Sequence, residues 1–166
     1  SPIYKNKIQS FPWKNWKNEI RIAKSNNFKK MEWTLDYPRL KDNPILKNTD
    51  KTINFLKKNF LEVDSVTCDF FMQKPFFKKN NNTKDIYHVL NKLQNTQIRK
   101  IIIPLVDNSS LEKINNINNI VKIFVEINND TKKKFIFLFE SDFSPSKLKK
   151  FIKFFPKKNF GINYDS

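Results

Sequence analysis

Short apolar runs alternate with amphipathic stretches along the chain. Lys30–Leu35, Val63–Phe71, Ile98–Val106, Phe135–Phe139 and Phe160–Tyr164 are each short enough for a strand and rich in Ile, Val and Phe. Ile101 to Val106 and Phe135 to Phe139 are continuous rather than alternating, which predicts parallel strands buried on both faces. Between the runs the period becomes helical: Trp13, Trp16, Ile20 and Ala23; Ile86, Val89, Leu90 and Leu93; Leu111, Ile114, Ile117, Val121 and Phe124; Leu148, Phe151, Ile152 and Phe155. Asn43-Pro44 and Ser144-Pro145 read as helix caps followed by Pro at the first helical position, and Ser109 to Glu112 has capping-box spacing. Lys78 to Asn82 reads as a solvated loop. Five strands and about five helices follow, in the strand–helix alternation of βαβ units. The expected class is α/β with a mostly parallel sheet.

The length of 166 residues suits one domain. With 39% hydrophobic residues, 17 Phe and 3 Trp, the chain has ample material for a core. Five βα units suit an open doubly wound sheet or a part of an eight-stranded barrel; a complete barrel, which needs at least about 200 residues, does not fit. The single Gly excludes a dinucleotide fingerprint or a P-loop, and with them most nucleotide-binding readings of an open sheet.

The net charge of +16 changes the picture less than it first suggests. Lys, Asn, Ile and Phe, which share A/T-rich codons, fill 88 of the 166 positions, so the basicity reads first as Lys spread over solvated faces. One cysteine, Cys68, excludes an internal disulfide and a cysteine-rich zinc site and fits a reducing compartment, so cytoplasm is expected. No apolar run approaches the roughly 18 residues of a membrane span, and no membrane partner is expected. Ser1 to Ser10 lack the apolar stretch of a secretory signal, although the chain does not open with Met.

In parallel βα proteins chemistry gathers at the carboxyl ends of the strands. Those ends carry Glu32 and Asp36, Cys68 and Asp69, Asp107-Asn108-Ser109, Glu140-Ser141-Asp142, and finally Asp165. If the last two strands are neighbours, Glu140 and Asp165 end about 4.8 Å apart and can share a divalent cation through carboxylate oxygens. Each acid could equally cap a helix or pair with a nearby Lys.

Taken together, Ile8 to Trp13, Met31 to Tyr37, Ser65 to Met72, Ile103 to Ser109, Phe139 to Asp142 and Gly161 to Asp165 resemble the sugar phosphate isomerase/epimerase family of the xylose isomerase-like barrel superfamily. The resemblance implies that residues 1–166 form a single partial (β/α)8 TIM barrel, parallel strands with outer helices. It covers strands two to six in the family's count, a fragment without the first strand and the last three βα steps. In the family a divalent metal is held by a Glu after strand five, an Asp after strand six, a His after strand seven and a Glu after strand eight. Glu140 and Asp165 match the first two, and the others have no counterpart here.

The implied cofactor is a divalent ion, Mn, Mg, Co or Zn. The implied reaction is proton transfer beside a carbonyl of a sugar or sugar phosphate, through an enediolate, with Glu140 as a catalytic base. This chain alone is expected to lack activity. Glu32 and Trp33 are candidate substrate contacts or rim packing, and Asp107 is similar. Cys68 is either a lining residue of the mouth or a small buried hydrophobe. Ser109 reads as a helix cap, and His88, inside Ile86 to Leu90, as an ordinary helix-surface residue.

Two other functions remain open. A metal-dependent phosphodiesterase of the same superfamily, acting on abasic DNA, would need several His at strand ends, where this chain has Glu32, Cys68 and Asp69. A non-enzymatic polyanion-binding module would use Lys132 to Lys134, Lys149-Lys150 and Lys157-Lys158, but these lack the aromatic interleaving that stacks bases. No specific nucleic acid is therefore expected as a partner, and self-association into a homo-oligomer stays open.

Overall fold

The computed structural model describes residues 10–75, 83–113, 117–132 and 134–164. Its strands are β1 (Lys30–Thr34), β2 (Glu62–Thr67), β3 (Lys100–Leu105), β4 (Ile136–Ser141) and β5 (Phe160–Ile162). Its helices are α1 (Trp16–Ser25), α2 (Pro44–Lys47), α3 (Thr49–Lys58), α4 (Phe70–Gln73), α5 (Lys84–Leu93), α6 (Ile117–Asp130) and α7 (Pro145–Ile152). The chain is α/β. Its five strands form one sheet in the order β1-β2-β3-β4-β5, and every pairing is parallel.

Strand order equal to chain order means that every crossover steps the same way. Since such crossovers are right-handed in nearly all proteins, the helices collect on one face of the sheet. The register bears this out. Trp33, Val66, Ile101, Phe137 and Phe160 are paired in one continuous row across the five strands, and all are buried. Helical rings pack on this row and the next: Trp16 of α1 lies 5.7 Å from Trp33, Phe124 of α6 lies 5.7 Å from Phe137, and Phe151 of α7 lies 5.3 Å from Phe139. Each fully buried Phe contributes about 1.5–3 kcal/mol, so the row is the fold's principal hydrophobic seam.

The opposite face carries the rows Glu32–Ser65–Lys100–Ile136 and Thr34–Thr67–Ile102–Leu138–Gly161. Burial on both faces, expected for the continuous runs, holds in β3, where Ile101, Ile102 and Ile103 are all buried. It fails in β4: Phe137 and Phe139 are buried, whereas Ile136 is 37% exposed and Leu138 is half-buried. The reason is position. β3 lies at the centre of the sheet, while β4 is next to the three-residue edge strand β5.

Three other expectations change. The Val63–Phe71 run ends as a strand at Thr67, and Phe70 and Phe71 instead enter α4, where Phe70 meets Tyr37 and Phe71 meets Phe124. The capping box at Ser109 to Glu112 does not form. The Ser109 hydroxyl donates to the Phe71 carbonyl at 2.6 Å instead, the segment is made of 3-10 turns, and α6 begins at Ile117. Ser144 likewise makes no side-chain cap bond to α7. Asn43 does cap: its Oδ1 accepts from the Ile45 N–H, with Pro44 at the first position of α2. His88 lies on α5, half-buried. The readings at Ser1 to Ile8, Lys78 to Asn82, Ile114 and Asp165 fall outside the described residues. Among the described residues no helix is long and apolar enough to cross a membrane.

Candidate functional site

Because the five strands are parallel, their carboxyl ends share one edge of the sheet, where Glu32 of β1 and Glu140 of β4 meet Asp36 and Asp69 from the segments leaving β1 and β2. Asp36 follows β1 and is buried, its Oδ2 accepting from the Phe11 N–H at 3.0 Å. Asp69 follows β2 and is 2% exposed, and its Oδ1 has no hydrogen-bond partner. It stands at the cap position of α4 but makes no cap bond, so nothing local compensates its burial. Burial above all, then the negative charges of Asp36, Glu140 and Glu32, pushes the Asp69 carboxyl up to about 7. The field at this end of the sheet is acidic despite the chain's net charge.

Glu140 lies in β4, opposite Pro104 of β3, and is half-buried. Its Oε2 accepts a hydrogen bond from Asn163 Nδ2 at 3.3 Å. The two residues line a cavity of about 640 Å³ together with Val106, Ser141, Phe143 and Lys149, among others. β4 and β5 are neighbours, with Phe139 paired to Ile162, so the adjacency required for Glu140 and Asp165 to meet is present. Asp165 itself lies outside the described residues.

The other candidates are placed differently. Glu32 is exposed on the face opposite the helices and accepts a hydrogen bond from the Thr67 hydroxyl. Trp33 is 2% exposed, and its Nε1–H donates to Asn43 Oδ1 at 2.8 Å. Both border a second, smaller cavity at the β1 edge rather than the one at Glu140. Cys68 is fully buried, its thiol pushed well up by burial and by the charges of Asp69 and Glu32, so it presents no surface to a mouth and fills the role of a small buried hydrophobe. Asp107 opens the turn after β3 with a left-handed φ of 52° and is exposed. Glu32 and Trp33 thus project to opposite faces of β1, and neither lines the cavity at Glu140, although the charges of Glu32 and Glu140 both reach Asp69.

Among the described residues no group of three or more His, Cys, Asp or Glu side chains could hold a metal ion. Carboxylate oxygen suits a hard divalent cation in kind, but Glu140 is the one described member of the expected pair.

Asn163 and Lys149, which also line the Glu140 cavity, were not marked as its lining in the sequence: Asn163 entered only within the resembling segment Gly161 to Asp165, and Lys149 only as part of a lysine surface. Asn163 is one of 23 asparagines, and Lys149 sits in a helix rather than at a strand end. Asp69 could be singled out, as the first acid after an apolar strand. What the sequence could not supply is that it would be buried within reach of three other acids, Asp36, Glu140 and Glu32. No protein-family model matches this chain, and no curated protein matches it.

Proposed function

We propose that this chain belongs to a sugar or sugar-phosphate isomerase or epimerase, folded as part of a xylose isomerase-like (β/α)8 barrel. The observation that carries the reading is Glu140: a carboxylate near the carboxyl end of a parallel strand, held by Asn163 and opening on a cavity of about 640 Å³. The sequential parallel sheet with its helices on one face supports it, being compatible with part of such a barrel.

In this reading Glu140 takes a proton from the carbon beside a substrate carbonyl and, in an isomerisation, returns it to the neighbouring carbon on the same face; an epimerisation would use a second acid on the opposite face to supply the proton there. The Asn163 amide fixes the carboxylate's orientation while it does so. Lys149, on the same cavity wall, offers a cation to a phosphate group and favours a phosphorylated sugar. A divalent ion (Mn, Mg, Co or Zn) held by Glu140 and Asp165 would stabilise negative charge on the carbonyl oxygen. Asp107, exposed at the same end of the sheet, is a candidate contact for the sugar hydroxyls.

The test uses the protein from the complete reading frame, supplied with each of the four metals in turn. It is incubated in D2O with ketoses and ketose phosphates, and deuterium uptake beside the carbonyl is followed by NMR. The expected result is uptake that falls by about 100-fold or more in Glu140→Gln. Absence of exchange with every sugar and metal would sink the reading. Metal-dependent cleavage of abasic DNA would replace it with the phosphodiesterase, and salt-sensitive, metal-independent DNA retention without turnover would replace it with the binding module.

A further inference from the structure

The amino ends of β1 and β2, opposite the acidic strand ends described above, are entered by turns rich in lysine. Lys24 lies in the last turn of α1, Lys29 leads into β1, and Lys57 and Lys58 close α3 ahead of β2. All four are exposed, and none pairs with an acid among the described residues. No Asp or Glu occurs in residues 21–31 or 51–61. The lysines alone have an ordinary reason, since cations near helix carboxyl ends answer the helix dipole.

Two rings among them have no such reason. Phe28 is 61% exposed and Phe60 73%, whereas most other described Phe are buried. Each stands two residues ahead of a member of the parallel pair Lys30–Glu62, and the Glu62 N–H donates to the Lys29 carbonyl at 2.8 Å, so the two turns lie side by side. Lys24 Nζ, 5.1 Å from the Phe60 ring centroid, joins them to α1. Phe60 also adopts a left-handed φ of 56°. It follows the C-cap Asn59, its N–H donating to the Lys57 carbonyl and that of Leu61 to the Leu56 carbonyl, a helix stop that favours Gly or Asn. The same stop ends α1 with Asn27 at φ 60°. In a chain with 23 Asn, composition does not account for a Phe in that position. A bulky ring held out in water on strained backbone serves the fold poorly, which points to a use outside it.

Neither ring lines the cavity at Glu140 or the one at the β1 edge, so they project from the surface instead of forming a socket. Projecting rings flanked by lysines suit an anionic bilayer: the rings enter the boundary of headgroups and acyl chains, and the lysine stems lie along it with their ammonium groups on phosphate. A single-stranded nucleic acid would instead need free ring faces for its bases, and Lys24 covers one face of Phe60.

We propose that this end of the sheet docks on an anionic membrane surface, inserting Phe28 and Phe60 and contacting lipid phosphates through Lys24, Lys29, Lys57 and Lys58. Such docking needs no spanning helix. The patch lies at the other end of the strands from Glu140, so it stands whether or not the isomerase reading does.

The test sediments the protein from the complete reading frame with vesicles of equimolar phosphatidylserine and phosphatidylcholine. Pure phosphatidylcholine vesicles and a titration with oligothymidylate serve as comparisons. Expected is binding to the mixed vesicles that weakens about tenfold in Phe60→Asn and by a similar factor in Phe28→Asn, as loss of one inserted ring implies. Urea unfolding supplies the control. Phe60→Asn relieves the left-handed strain and should be at least as stable as wild type, so its lost binding is not lost folding. If Phe28→Asn misfolds, Phe60→Asn carries the test. Four outcomes would overturn the proposal: no sedimentation with the mixed vesicles; undiminished binding in the folded variants, which would leave only the diffuse attraction of a +16 chain; a Phe60→Asn protein less stable than wild type, which would give the ring a structural role; or tighter binding to oligothymidylate, weakened by the same substitutions, which would make the patch a nucleic-acid site.

Discussion

Replacing Asp69 by Asn removes an ionisable proton from the most buried part of the acidic strand-end region while keeping nearly the same shape. In the folded protein the Asp69 carboxyl is pushed from 3.8 up to about 7 by burial and by Asp36, Glu140 and Glu32, so between these two pH values the folded state holds a proton that the unfolded chain has lost. Stability must therefore fall as the pH rises through that window, by up to about 1.4 kcal/mol per pH unit. Below about pH 4 the group costs nothing, and above about pH 7 its full cost, on the order of 4 kcal/mol, is present. Asp64, whose carboxyl is held down by Lys100, acts in the opposite sense and at more acid pH, so the two do not overlap. Urea unfolding at half-unit intervals from pH 4 to 8, followed by far-UV circular dichroism, measures the slope. Wild type should lose stability more steeply across the window than Asp69→Asn, which keeps only the opposed contributions of Glu19, held up by burial, and His88, held down by burial, and should be more stable than wild type at pH 8. The uncharged amide has its own burial cost, but that cost does not vary with pH and drops out of the slope. Parallel slopes in the two proteins would refute the reasoning, because they would place the proton on another group.

Other predictions concern the frame. Asn43→Ala removes the α2 cap and strands the buried Trp33 N–H, and should cost about 2–4 kcal/mol. Because Trp33→Phe deletes that N–H, the double variant should be less destabilised than the two single effects added, which a double-mutant cycle in urea would measure. Phe139→Ala empties a site ringed by Phe124, Phe151 and Phe155, and should cost about 3–5 kcal/mol, lowering the thermal midpoint by roughly 6–20 °C. By contrast Asp42→Asn, which breaks an exposed pair with Lys47, should leave the thermal midpoint unchanged.

Periodicity alone was enough to place the five strands within a few residues of their observed bounds, because a continuous Ile, Val and Phe run bounded by polar residues has few other ways to bury itself. The α/β class and the parallel sheet follow from the same alternation, and the acids at the strand ends could be named from position. The sequence also marked the start of α2, because Asn43 supplies its own acceptor next to a Pro that cannot donate.

What stayed hidden depended on partners distant in the chain. Ser109 has the spacing of a helix cap, yet Phe71, 38 residues away, offers its carbonyl and takes the hydroxyl. Val63–Phe71 reads as one strand, but Phe70 and Phe71 find better burial against Tyr37 and Phe124 once the chain turns at Asp69. The weakened acidity of Asp69 and the pairing of Glu140 with Asn163 both arise where separate βα units are laid side by side. Local pattern determines how each segment buries its own apolar face. The electrostatic environment of a polar group is the sum over all neighbours in space, and only the tertiary structure decides which those are.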